Sequence, residues 1–309
     1  MLSQHALIPA LLAICAALAL GSENPPTAAT GETGGPYVIF LGTGAADIKS
    51  PKTDSCPNCT YVREHGGRNR RRFSSLFVSP DVVVDYATTG RESMRDARVE
   101  PAKVNWLLIT HSHGDHFSPS SIVELAGERI KSAKGELTLL GNATAAKMMR
   151  EHLASLKEPP PIKAREVRPY EEFTAGEWRC KALPANHDPG EDCLVYVLRC
   201  GEKSLFYATD TTWFPVGTFN ALKAEKLDLA IVEGTFGELT DPAYLAGHMT
   251  FAFDRLVKEF LVGQHAMKPS GKFALTHLSL HWCEPYDKLA PKLAKEGILV
   301  PYDGLRIGL

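Results

Sequence analysis

Apolar residues along this chain fall in short dense runs, each closed by glycine, proline or a polar residue. Tyr37-Val38-Ile39-Phe40-Leu41 is the first, followed by Ser74 to Val78, Val82-Val83-Val84 and Trp106-Leu107-Leu108-Ile109. Further runs cover Glu136–Leu140, Arg165–Val167, Trp178–Leu183, Cys193–Arg199, Ser204–Ala208, Leu227–Val232 and Lys272–Thr276. Their length and β-branched, aromatic content read as buried strands. Helical patterns lie between them. Ser118-Pro119 supplies an N-cap and a proline at the first helical position, for a helix to about Leu125. Others are expected over Ala143–Leu153, Thr250–Leu261 and Glu284–Lys295. Strands interleaved with helices predict an α/β fold. No repeat of 20–50 residues interrupts the pattern.

The 309 residues suffice for one large α/β domain, and 44% hydrophobic content can fill its core. A net charge of −2 gives no bulk drive toward nucleic acid or an anionic membrane. The N-terminus stands apart. Ala6–Leu20 is apolar but too short for a comfortable membrane span, and Ala19-Leu20-Gly21 ends in small residues before a polar, proline-rich stretch. This predicts a secretory signal peptide over residues 1–21, a flexible linker over 22–36 and a mature chain that is exported and carries no transmembrane span. An uncleaved N-terminal anchor is the alternative. Of seven cysteines, Cys15 leaves with the leader, and Cys200 reads as a small buried hydrophobe.

Chemistry concentrates where strands end. Thr110-His111-Ser112-His113-Gly114-Asp115-His116 follows the run 106–109 directly, placing three imidazoles and a carboxylate within six residues. Nitrogen and carboxylate oxygen together suit zinc, manganese or iron. His111 and His113, two apart, point to one side. After the bend at Gly114, Asp115 and His116 can face a second position. His187, Asp210 and His277 also terminate apolar runs, as does Glu233.

The His-x-His-x-Asp-His phrase with its downstream His187, Asp210 and His277 resembles the metallo-β-lactamase superfamily. The resemblance covers Tyr37 to the C-terminus and implies a four-layer αββα sandwich, with residues 37–309 as one hydrolase domain. It implies one metal on His111, His113 and His187, another on Asp115, His116 and His277, and Asp210 bridging them. Asp85 matches the aspartate that supports the metal loop in this superfamily. Leu41-Gly42-Thr43-Gly44 resembles the opening turn of its phosphodiesterase branch, which includes tRNase Z and the phosphoribosyl cyclic phosphodiesterases. Glu233-Gly-Thr-Phe and Gly247-His248-Met-Thr are similar to tRNase Z phrases in which the Glu orients a His that protonates the leaving oxygen.

An insertion near residues 51–72 carries Cys56-Pro57-Asn58-Cys59. The cyclic phosphodiesterases hold a structural zinc here with Cys-x-Cys-x-x-Cys and a late His. This chain keeps the last two cysteines and has Asp54 in place of the first. His281 and Cys283 are then expected to complete four ligands with Cys56 and Cys59, against a Cys56–Cys59 disulfide or a metal-free site. Arg68, Arg70, Arg71 and Arg72 follow; they can hold a phosphate or form a solvated face.

Two cations about 3.5 Å apart can hold hydroxide for attack and neutralise charge on a phosphoryl or carbonyl oxygen. The Glu233/His248 pair, with Asp115 beside the metals, favours a leaving group that needs a proton. The expectation is a dinuclear phosphodiesterase acting on a small, cyclic or activated diester, with no stable nucleic-acid partner and with homodimerisation left open. A lactonase or other acyl hydrolase on the same metals is one rival. A non-catalytic role like that of the related protein in pyrroloquinoline quinone synthesis is the other.

Overall fold

The computed structural model describes residues 34–49, 55–132, 135–241 and 247–309. The expected leader, its linker up to residue 33, and Asp54 lie outside the described residues. Fourteen strands among them pair into two sheets of seven. The first contains β1 (Tyr37–Gly42), β2 (Ser75–Val78), β3 (Val82–Val84), β4 (Trp106–Ile109), β5 (Leu137–Gly141) and β6 (Ile162–Glu166). The second contains β7 (Glu172–Ala175), β8 (Trp178–Pro184), β9 (Leu194–Cys200), β10 (Lys203–Ala208), β11 (Leu227–Glu233), β12 (Met267–Thr276) and β13 (Ile298–Leu299). The last strand, β14 (Arg306–Gly308), returns to pair antiparallel with β1. Each sheet is mixed: β3 to β6 and β10 to β13 run parallel, while β1-β2-β3 and β7 to β10 are antiparallel.

The dense apolar runs are explained by burial of both faces. On β10, Leu205 and Tyr207 join the core between the sheets, whereas Phe206 and Ala208 join the outer core. The same alternation splits Leu229 and Ile231 from Ala230 and Val232 on β11. Helices cover the outer faces. On the first sheet, α2 (Gly90–Asp96), α3 (Pro119–Lys131) and α4 (Ala143–Ser155) contribute Met94, Ile122 and Met149. On the second, α5 (Val216–Leu222), α6 (Phe251–Gly263) and α7 (Tyr286–Ala294) contribute Phe219, Val257 and Leu293. Three cores separating four layers make the αββα sandwich.

The insertion holds a helix, α1 (Pro57–His65), capped at Cys56 and burying only Cys59. Helix α3 runs six residues past the expected Leu125. Its last turn is held by Arg129, 2% exposed, which donates to Asn105 Oδ1 and to the carbonyls of Gly135 and Glu136. Cys200 is half-buried beside the inter-sheet core, a weaker form of the expected burial. No helix among the described residues is long and apolar enough to cross a membrane.

Candidate metal centre

The parallel strands of both sheets deliver their carboxyl ends to one edge of the sandwich. The loop after β4 carries His111, His113, Asp115 and His116, while Asp210 follows β10 and His277 follows β12. His187 follows β8. The two sheets are tied at this edge, where Tyr196 Oη donates to Ile109 O at 2.7 Å and Leu194 N donates to Thr110 O. Asp85, Asp210 and His277 have φ of +58°, +47° and +52°. Side chains rarely adopt this left-handed region, and such strain concentrates at functional sites.

All seven expected ligands meet in two groups that share Asp210. Oδ2 of Asp210 lies 3.5 Å from Nε2 of both His111 and His187, and His187 Nε2 is 3.2 Å from His113 Nδ1. Its other oxygen, Oδ1, lies 3.2 Å from His116 Nε2 and 3.1 Å from His277 Nε2. Asp115 Oδ2 stands 3.3 Å from the same two nitrogens. Ligands about 2.0–2.1 Å from a tetrahedral zinc stand about 3.3–3.4 Å apart, so these separations are those of two tetrahedra sharing a carboxylate.

The opposite nitrogen of every imidazole is held by an oxygen. His116 Nδ1 lies 2.8 Å from Asp85 Oδ2, His277 Nδ1 2.8 Å from Thr235 Oγ1, and His187 Nδ1 2.7 Å from Gly247 O. His113 Nε2 is 3.1 Å from Asp188 Oδ2, and His111 Nδ1 is 3.0 Å from Thr110 Oγ1. Such contacts fix the tautomer that turns a lone pair toward a metal. His111 Nε2, by contrast, is buried without any hydrogen-bond partner. An orphaned nitrogen aimed into a ring of ligand atoms fits a cation better than a proton. Electrostatics agree in direction. Burial works against charge on Asp210, but His116 and His277 outweigh it and hold the carboxyl well below its usual range. Burial, with His116 adding to it, keeps His111 unprotonated.

Asp85 also accepts from the amide and hydroxyl of Thr110, so one buried carboxylate sets both the loop and an imidazole. Thr110 and Thr235 lie inside the phrases that carry His111 and Glu233, and Asp188 follows His187, but nothing in the sequence sets apart the contacts they make.

Beside the ligands, His248 Nδ1 lies 3.0 Å from Glu233 Oε1, and its ring stacks over His277 at 5.3 Å and 19°. Glu233 is fully buried and accepts from the Thr211 amide and the Thr235 hydroxyl. Burial disfavours a charged His248, yet the Glu233 carboxylate outweighs it and raises the ring to about 9. A cavity of about 290 Å³ opens over the cluster, with Asp47, Phe236, His248 and Trp282 in its wall. A larger groove of about 840 Å³ lies against α2 and α3, but Arg91, Arg95, Glu92 and Glu128 in it pair with one another or with neighbours. The chemistry sits in the smaller cavity.

The cysteine cluster is only partly as expected. Cys56, Cys59 and His281 converge, with Cys59 Sγ 3.3 Å from His281 Nδ1. Cys283 does not join them. Ser279 caps the turn at His281 and Trp282, which sends His281 toward Cys59 while Cys283 Sγ donates to the carbonyls of Gly234 and Thr235. Burial pushes that thiol up to about 12. The arginine cluster also disperses. Arg68 lies over the ring of Tyr302, and Arg72 pairs with Glu92 and Asp96.

The family model described as "Beta-lactamase superfamily domain" matches residues 78–269. No curated protein matches the sequence. Among solved structures, a diphosphatase from the PhnP family superposes with a TM-score of 0.68 at 19% identity, over 89% of this chain and 98% of the other. Zn²⁺-bound PqqB from Methylobacterium extorquens gives 0.67 at 15% identity, over 88% and 100%. The short form of human tRNase Z gives 0.60 at 17% identity, over 88% and 98%. At these identities the likeness is one of fold.

Proposed function

The chain belongs to the beta-lactamase superfamily, and on that premise we propose that it is a metal-dependent hydrolase of small phosphodiesters. His111, His113 and His187 would hold one divalent cation and Asp115, His116 and His277 the other, with one oxygen of Asp210 on each. Bound there, such cations supply a water of lowered pKa and positive charge opposite the phosphoryl oxygens. Zinc fits the tetrahedral spacing and the imidazole-rich set; manganese and iron share the ligand types.

The Glu233–His248 contact carries the choice of reaction. An alkoxide expelled from phosphorus needs a proton as the bond breaks. His248 is about one-fifth exposed and faces the same cavity as the ligands, and the Glu233 carboxylate raises its ring against the cost of burial, so it is placed to supply that proton. Glu233 fixes the ring and balances its charge, while hydrogen bonds from the Thr211 amide and the Thr235 hydroxyl hold Glu233 in place. Ring opening of a lactone or lactam has less use for such a donor. The 290 Å³ cavity lies at the small end of ligand sites, which suits a small diester better than a folded RNA. The diphosphatase and tRNase Z folds among the structural neighbours are compatible with phosphoryl chemistry.

We also propose a structural zinc on Cys56, Cys59 and His281, pinning α1 to the segment that carries His277. Export of the chain remains our reading of its first 21 residues.

A leaving-group series tests the reaction assignment. His248→Gln is expected to lose activity steeply on diesters with alkyl leaving groups and little on 4-nitrophenyl esters, whose phenolate leaves without a proton. Equal losses across the series would overturn the role of His248. Turnover of lactones with no diester cleavage would overturn the phosphodiesterase.

A further inference from the structure

Two aromatic rings, Phe236 and Trp282, stand in the wall of the catalytic cavity, together with Ala45 and Ala46. Phe236 is half-buried and meets the His248 ring edge-on, at 5.4 Å and 88°. Trp282 is 44% exposed. Single exposed apolar residues are common and by themselves mean little. Trp282 is set apart by how firmly its backbone is held.

The peptide groups around it are tied down from three directions. Its amide and that of His281 both donate to Ser279 Oγ, each at 3.0 Å. Asn58, on α1, donates through Nδ2 to the carbonyls of His281 and Cys283, at 3.1 and 3.0 Å, one on either side of Trp282. The Trp282 carbonyl packs against Gly237, where a Cβ would lie only 2.7 Å away and φ is +55°. Both conditions call for glycine there. Helix α1 buries only Cys59, so little of its hold on the fold is hydrophobic. Its polar contacts reach instead the turn that carries Trp282.

An indole held in place and facing solvent beside a phosphoryl-binding centre is a surface on which a flat ring can stack. With its backbone already fixed, it has little ordering entropy left to lose. Charge in the wall selects further. No lysine or arginine lines the cavity among the described residues, and Asp47 adds a carboxylate outside the metal cluster. That carboxylate is satisfied by Ser279 Oγ and by the amides of Leu280 and His281. A second anionic group on the substrate therefore meets repulsion near Trp282 rather than a cation.

We propose that Trp282 is the specificity-determining residue of this site, receiving an uncharged aromatic ring on one arm of the diester, and that Asn58 positions it. The inference rests on the reading of the histidine–aspartate cluster as a metal centre that takes a phosphoryl group; it adds which diester that centre takes. Diesters with an aryl or heteroaryl arm are the class favoured, ahead of those whose arms are small alkyl groups or carry a second phosphate.

The test uses phosphonates, which lack a bond for the centre to hydrolyse, titrated calorimetrically into the metal-loaded full chain. Phenylphosphonate is expected to bind about tenfold tighter than methylphosphonate, the scale of one aromatic contact. Trp282→Ala should erase that preference by weakening phenylphosphonate alone, and Trp282→Phe should keep most of it. Asn58→Ala should remove part of the preference with zinc content unchanged, whereas a merely structural role would weaken both ligands alike. A preference untouched in Asn58→Ala, or zinc lost from it, would overturn the positioning role. 4-Carboxyphenylphosphonate should bind more weakly than phenylphosphonate; equal or tighter binding would overturn the requirement for an uncharged ring. Equal binding of the phenyl and methyl compounds, or a preference that survives Trp282→Ala, would overturn the role of Trp282 while leaving the phosphoryl site standing. Binding of neither compound would overturn the phosphoryl reading itself, and this inference with it.

Discussion

Asp85 Oδ2 stands 2.8 Å from Nδ1 of His116, with both side chains sealed from solvent. This contact joins the end of β3 to the metal loop, and the same carboxylate receives the amide of Thr110. Asp85 would therefore act on a metal bound at the loop without touching it. Asp85→Ala is expected to lower zinc affinity about 10–100-fold, the usual cost of removing a partner that orients a ligand imidazole. Competition with a chromophoric chelator measures it; unchanged affinity would mean that the loop holds its shape without Asp85.

The protonation state of His248 sets the second expectation. A proton donor works below its pKa and is lost above it. The ring is raised to about 9, and cations bound at the cluster would lower that figure by repulsion. Activity on alkyl diesters should thus fall with rising pH at or below about pH 9. His248→Gln should remove that alkaline fall along with about 10²–10⁴-fold in rate. A pH profile that keeps its alkaline limb in the variant would assign the titration to another group.

The cysteine cluster gives a prediction that separates it from the catalytic pair. Cys59→Ser should remove one zinc per chain and lower thermal stability, whereas Cys283→Ala should keep that zinc, because the Cys283 thiol faces the carbonyls of Gly234 and Thr235. Loss of zinc in both variants would restore Cys283 as a ligand.

One stability change is legible from packing alone. A Cβ at Gly90 would lie 2.6 Å from Tyr86 Cε2, and Tyr86 is only 1% exposed, so the packed ring or the helix must shift. Gly90→Ala should destabilise by about 1–3 kcal/mol, read in urea unfolding. A neutral result would show that α2 shifts freely on its sheet.

The legible parts of this fold share a physical cause. β10 and β11 are apolar on both faces, so their runs stand out against any background, and ligands such as Asp210 come directly after them. Helix α1 was not legible because it is short, polar and buries a single residue, Cys59. The opposed directions of His281 and Cys283 depend on a turn built by Ser279, which a two-residue spacing does not reveal. Likewise four arginines within five residues look like one patch, while tertiary partners pull Arg68 and Arg72 away and leave Arg71 inside. The left-handed backbone at Asp85, Asp210 and His277 has no marker in composition, since none of the three is glycine.

The most direct test of the whole account is zinc content measured against turnover in the full chain and in Asp210→Ala. The account predicts two zinc ions at the histidine–aspartate cluster and one at the cysteine cluster, with cleavage of a diester but not of a lactone or β-lactam. Asp210→Ala should lose zinc from the first cluster alone and lose diester cleavage with it. Full diesterase activity in a chain stripped of metal, or a zinc-replete chain that opens lactones and leaves every diester intact, would contradict it.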